Sequence, residues 1–113
     1  MPTIKTIDQG VAAGATITPW QGNQYEYLPF DALVEVALKA DAGDTWLASV
    51  FSGSDVLLQS SQIDTLAIAT PIQYPEDFEI SDVAAQGERL GCQLTNNTGA
   101  VADVRTVARI TPL

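Results

Sequence analysis

Apolar and polar residues alternate with a period of two along most of the chain. Val34, Val36 and Leu38 interleave with Glu35, Ala37 and Lys39, so one set points inward and the other toward solvent, and the pattern predicts a strand over 32–40. Asp41-Ala42-Gly43-Asp44 follows, with a glycine able to take positive φ and acids able to bond their own backbone, which predicts a tight hairpin turn. Residues 45–51 are apolar on both parities, as expected of a strand covered on both sides or lying at an oligomer contact. Ser52-Gly53-Ser54-Asp55 turns the chain again into a strand over 56–63, so 32–63 reads as a three-stranded meander.

The same period returns at the C-terminal end. Leu90, Cys92 and Leu94 share one parity, Asn96-Asn97-Thr98-Gly99 reverses the chain, and Ala102, Val104, Thr106, Ala108 and Ile110 form the inward set of a last strand. Shorter strands are predicted over 3–9, 15–18 and 23–29. Thr70-Pro71 and Tyr74-Pro75 remove ladder donors and restrict their neighbours, which marks 64–74 as a long crossing connection. Ser81–Gly87 has the signals of at most one helical turn, with Ser81 as its cap. Seven to eight strands in one domain over 1–113 predict an all-β, two-sheet antiparallel sandwich with jelly-roll topology.

Charge and composition then narrow the function. Five basic residues against fourteen acidic ones give a formal charge of −9, a balance that repels phosphate backbones and argues against direct nucleic-acid binding. The three arginines, Arg89, Arg105 and Arg109, lie in the last quarter of the chain, which suggests a basic edge that pairs with acidic groups of a second copy. No apolar run approaches the roughly 20 residues that span a bilayer. The first residues lack the basic and apolar regions of a secretory signal, so synthesis in the cytoplasm is expected. A single cysteine, Cys92, cannot form an internal disulfide and fits a buried strand face.

Chemistry is sparse. The chain has no histidine, which removes the commonest general base and transition-metal ligand together, and the glycines stand outside any phosphate-binding or nucleophile-elbow pattern. Carboxylates remain: Asp41 with Asp44, and Glu76, Asp77, Glu79 and Asp82. Glycoside hydrolysis across such a pair needs a cleft that a small sandwich has little room for. Asp77, Glu79 and Asp82 are weak candidates for calcium, without the ligand spacing of an EF-hand. No cofactor is implied, and the expectation is a non-enzymatic protein. Of the aromatics, Trp46 reads as core, whereas Trp20, in a Thr-Pro-Trp-Gln-Gly loop, joins Tyr25 and Tyr27 as candidates for a ligand or subunit contact. Phe51 is placed in or near a contact between subunits. Asn96-Asn97-Thr98 matches the glycosylation triplet, read here as coincidence.

The stretch Gly87-Glu88-Arg89-Leu90-Gly91-Cys92-Gln93-Leu94-Thr95-Asn96-Asn97-Thr98-Gly99-Ala100, the Val104–Ile110 strand and the Pro-Leu after it resemble the closing hairpin of small jelly-roll virion proteins of bacteriophages. The likeness covers roughly the last quarter of the chain and contains no diagnostic motif. It implies a capsid, decoration or vertex protein located in the virion, partnered by its own copies and by other virion proteins. The acidic charge departs from coat proteins that hold a genome on a basic arm, since residues 1–10 contain only Lys5. The competing expectation is a carbohydrate-binding sandwich that presents Trp20, Tyr25 and Tyr27.

Overall fold

The computed structural model describes residues 3–74 and 76–113. Eight strands form: β1 (Thr3–Val11), β2 (Thr16–Ile17), β3 (Ala32–Ala40), β4 (Trp46–Ser52), β5 (Asp55–Gln62), β6 (Ile80–Ala84), β7 (Leu90–Asn96) and β8 (Ala102–Pro112). They make two four-stranded antiparallel sheets, the first ordered β1-β8-β3-β6 and the second β2-β7-β4-β5. The order has a simple origin. The chain doubles back at the β4–β5 hairpin, so that β4 pairs with β5, β3 with β6, β2 with β7 and β1 with β8, and the doubled ribbon rolls until β3 meets β8 and β4 meets β7. This is the jelly roll that the spacing of strands predicts.

The alternation decides which side of each ribbon is inside. Val34, Val36, Leu38 and Ala40 from β3, with Val104, Ala108 and Ile110 from β8, face Trp46, Ala48 and Val50 from β4 and Leu90, Cys92 and Leu94 from β7. All are buried, and burying each large side chain of this set contributes about 1.5–3 kcal/mol. Trp46 lies in this core as predicted.

Several local expectations are corrected. The 32–63 segment is not a meander, because β3 belongs to the first sheet and β4 and β5 to the second. Residues 41–44 therefore form an arch between sheets and not a hairpin. Asp41 stabilises it by accepting the amides of Ala42 (2.9 Å) and Ile68 (2.8 Å) on Oδ1. The reversal after Asn96 is likewise an arch, since β7 and β8 lie in opposite sheets. Residues 23–29 make turns and a single bridge, Tyr27 to Arg89, in place of a strand. Residues 81–84, read as the start of a helical turn, belong to β6, whose Ile80, Asp82 and Ala84 register with Val36, Val34 and Ala32. In the first sheet β8 lies between β1 and β3.

The long connection after β5 crosses from one sheet to the other, as the Pro71 signal predicts, while Pro75 lies outside the described residues. It begins beside β3, where the Ala40 amide donates to the Asp64 carbonyl at 3.0 Å and the Leu66 amide to the Ala40 carbonyl at 2.8 Å. It then runs over the outer face of the first sheet as a strap. Arg105, projecting outward from β8, donates to the carbonyls of Thr70, Leu66 and Ala67 at 2.6, 3.0 and 3.2 Å. On the way back, the Tyr74 hydroxyl donates to Glu35, and the Arg109 guanidinium lies 3.7 Å from the centre of the Tyr74 ring.

Candidate functional site

The two outer faces of the sandwich differ in kind. The first sheet turns Lys5, Lys39, Arg105 and Arg109 outward, together with Glu35 and Asp103, and the strap covers much of that face. Among the described residues, the second sheet has no such cover. Its outward positions on β2, β4 and β7 are Thr16, Leu47, Ser49, Phe51, Gly91, Gln93 and Thr95, and across the β5 ladder Val56 stands opposite Phe51 and Gln62 opposite Leu47. None of these nine side chains is ionisable, in a chain with nineteen charged ones. Phe51 and Leu47 are half-buried and Val56 is 53% exposed.

Local sequence builds this face. Gly91 registers with Phe51, and a Cβ at Gly91 would stand 3.2 Å from the Phe51 ring, so the glycine lets the ring lie across the neighbouring strand. Thr16 and Thr95 exchange a hydroxyl hydrogen bond of 2.9 Å, and the Ser49 hydroxyl accepts the Ser60 amide at 3.0 Å. These bonds engage the Thr16, Thr95 and Ser49 hydroxyls within the face, which lowers the cost of dehydrating them.

The candidates singled out from sequence are not brought together. Trp20 is 1% exposed, and its indole N–H donates to the Thr106 hydroxyl at 2.9 Å inside the core, so it is corrected from surface contact to core residue. Tyr25 is half-buried against the core cluster, and Tyr27 is 60% exposed. The three rings do not form one platform. Phe51 and Arg89 do meet, around a depression of about 90 Å³ that also touches Glu26 and Gln93; small-molecule sites usually occupy about 300–1,000 Å³.

The arginines do not form a common edge. Arg89 donates from Nε to Glu26 Oε2 at 2.8 Å, within its own chain. Glu26 also accepts the Gly22 amide at 3.0 Å, and these two bonds hold its carboxyl below the usual range. Arg105 is 7% exposed beneath the strap, and Arg109 stacks on Tyr74. Within the chain, Arg89 thus pairs with Glu26 through Nε and Arg105 bonds the strap, at separate places in the fold.

The carboxylates serve turns or sit apart. Asp77 Oδ2 accepts the Gln73 amide at 2.8 Å, and Asp44 Oδ2 accepts the Asp103 amide at 3.3 Å. Burial pushes the Glu79 carboxyl up, with Lys39 opposing. Asp82 takes an inward register position on β6 opposite Val34, with Oδ2 buried and unpartnered among the described residues. Asp77, Glu79 and Asp82 do not converge, and no group of three carboxylates or thiols suited to a metal occurs among the described residues. Burial, followed by the Asp8 carboxylate, pushes the Cys92 thiol up to about 12, which suits packing and not nucleophilic attack.

Sequence reasoning reached Phe51 but missed the face around it. Serine, threonine and glutamine between apolar residues look like ordinary solvent-facing positions; the available signal was the lack of charge at every one of them. No known protein family, curated protein or solved structure matches the chain.

Proposed function

We propose that this chain is a non-enzymatic structural subunit that assembles symmetrically with copies of itself through the outer face of its second sheet, as a capsid, decoration or vertex component of a virion. The observation that carries the reading is the uncharged face centred on Phe51 and Leu47. On a domain of charge −9, like copies repel one another wherever acids lie between them, and a self-complementary contact is favoured where they do not. Uncharged, partly apolar surface of this kind characterises the centres of subunit interfaces. The exposed edges β1, β5, β2 and β6 add unpaired backbone groups that neighbouring subunits can cover. The jelly-roll order supports the virion setting by analogy of fold. In that setting the protein works in the particle, beside other virion proteins, after synthesis in the host cytoplasm.

Native mass by light scattering on a sizing column, with negative-stain images of the same peak, tests the proposal. Trimers, pentamers or larger shells are expected, and a monomer of 12.0 kDa across the accessible concentration range overturns it. Gln93→Asp places a charge on an exposed position of the face without touching the core and should shift the distribution toward monomer. Phe51→Asp should do so more completely. Unchanged native mass and melting temperature in Phe51→Asp would remove this face from the contact.

A further inference from the structure

Between the strap and β1, the outer face of the first sheet holds a groove of about 450 Å³. Its walls are apolar, formed by Ile7 and Val107 from the sheet and by Ile68, Pro71 and Ile72 from the strap, and its charged lining is Lys5 and Arg105 with no acidic side chain. Two cations without an anion are unexpected where acids outnumber bases fourteen to five.

The register sharpens the point. Lys5 stands opposite Val107 and Ile7 opposite Arg105 on the β1–β8 ladder, so Lys5 and Arg105 are diagonal neighbours, with backbone positions about 7–8 Å apart. Arg105 is 7% exposed, and its three hydrogen bonds go to neutral carbonyls of the strap. No carboxylate among the described residues stands at ion-pairing distance from it. A guanidinium largely removed from water without a counter-charge creates a local positive potential, and apolar walls strengthen that field by excluding solvent. Lys5, exposed at the mouth, adds a second cation that turns toward an incoming anion at little cost.

We infer that this groove binds an amphiphilic monocarboxylate of medium chain length, with the carboxylate between Lys5 and Arg105 and the alkyl chain along Ile7, Ile68, Ile72 and Val107. Charge complementarity selects the head and the apolar walls select the tail. The volume lies within the usual range of about 300–1,000 Å³ for small-molecule sites. The groove is on the sheet opposite the proposed subunit contact, so the inference does not depend on that reading.

Calorimetric titration of the intact chain with sodium octanoate, below its micellar range, tests it. Saturable binding is expected, with octanol at least fivefold weaker for want of the charged head and propionate at least fivefold weaker for want of the tail. Lys5→Ala should weaken octanoate about threefold, the scale of one exposed ion pair. Arg105 also pins the strap, so the decisive variant is Ile7→Glu, at a position 55% exposed on an edge strand. It sets a carboxylate beside the cations and should reduce octanoate affinity at least tenfold with an unchanged melting temperature. Equal affinity for octanoate and octanol, undiminished binding by Ile7→Glu, or no saturable heat with octanoate would each overturn the inference.

Discussion

Replacing Asn96 by alanine should be strongly destabilising. Asn96 is 1% exposed at the end of β7, where its amide nitrogen donates to the carbonyls of Val11 at 3.0 Å, Ala12 at 3.3 Å and Ala100 at 2.8 Å, and its oxygen accepts the Thr98 amide at 2.9 Å. One side chain thus ties the β1–β2 connection to the β7–β8 arch. The amide carries two hydrogens, so Val11 and Ala12 share one, and three effective bonds are lost. At about 1 kcal/mol each, with some carbonyls then left dry, the loss is about 3 kcal/mol. For a domain of this size that corresponds to a fall in melting temperature of about 12 °C. Equilibrium urea unfolding of Asn96→Ala measures it, with Asn97→Ala as the control, since Asn97 is exposed and should change stability by less than about 0.5 kcal/mol. A loss below about 1 kcal/mol for Asn96→Ala, with the m-value unchanged, would refute the reasoning. The same burial means that the Asn-Asn-Thr triplet does not offer its acceptor nitrogen in the folded state.

Three further outcomes are expected. Burial raises the Asp8 carboxyl, whose Oδ2 has no partner among the described residues, so ionised Asp8 opposes folding; its contribution improves as pH falls through the raised folded-state value and is complete below the unfolded value. Asp8→Asn should therefore stabilise the protein at pH 7 in thermal melts, by a margin that shrinks toward pH 3, and a margin independent of pH would contradict this. The Cys92 thiol, pushed up to about 12, should react with a disulfide reagent at pH 8 only through opening of the sandwich, orders of magnitude slower than in urea, whereas labelling within the mixing time would contradict its placement. Trp20→Phe forfeits the 2.9 Å bond to Thr106 and leaves that hydroxyl with Thr6 alone, whereas Trp46 Nε1 has no partner to lose among the described residues; unfolding free energies from denaturant titration should fall further for Trp20→Phe than for Trp46→Phe, by about 1 kcal/mol of polar contribution.

Strand positions and faces were legible because a period of two is a local property. Val34, Val36, Leu38, Leu90, Cys92 and Leu94 point inward as their parity requires. Partners were not legible, because turn chemistry states that the chain reverses and does not state into which sheet it goes. Asp41–Asp44 carries the residues of a hairpin, yet both neighbours of β3 are strands distant in sequence, β8 and β6. The Tyr25-Glu26-Tyr27-Leu28 alternation misled differently: Glu26 and Leu28 are buried there, but with a turn backbone in which Glu26 is held by Gly22 and Arg89. Trp20 lies in a loop, where no periodicity reports direction, and only its size argued for the core. The groove at Lys5 and Arg105 depends on a strap returning over a strand about a hundred residues from its partner, a juxtaposition no local pattern encodes.

The rolled ribbon also fixes an order of events during synthesis. Only β4 and β5 are close enough in sequence to pair as they emerge, and each further pair, β3 with β6, β2 with β7 and β1 with β8, spans a longer loop whose closure must precede its reward. Of these eight strands, the first made is the last to find its partner. Until Ala102–Pro112 leaves the ribosome, β1 and the inward face of β3 remain available to other nascent chains. High translation rates and crowded polysomes should therefore penalise the yield of this protein more than its final stability would suggest.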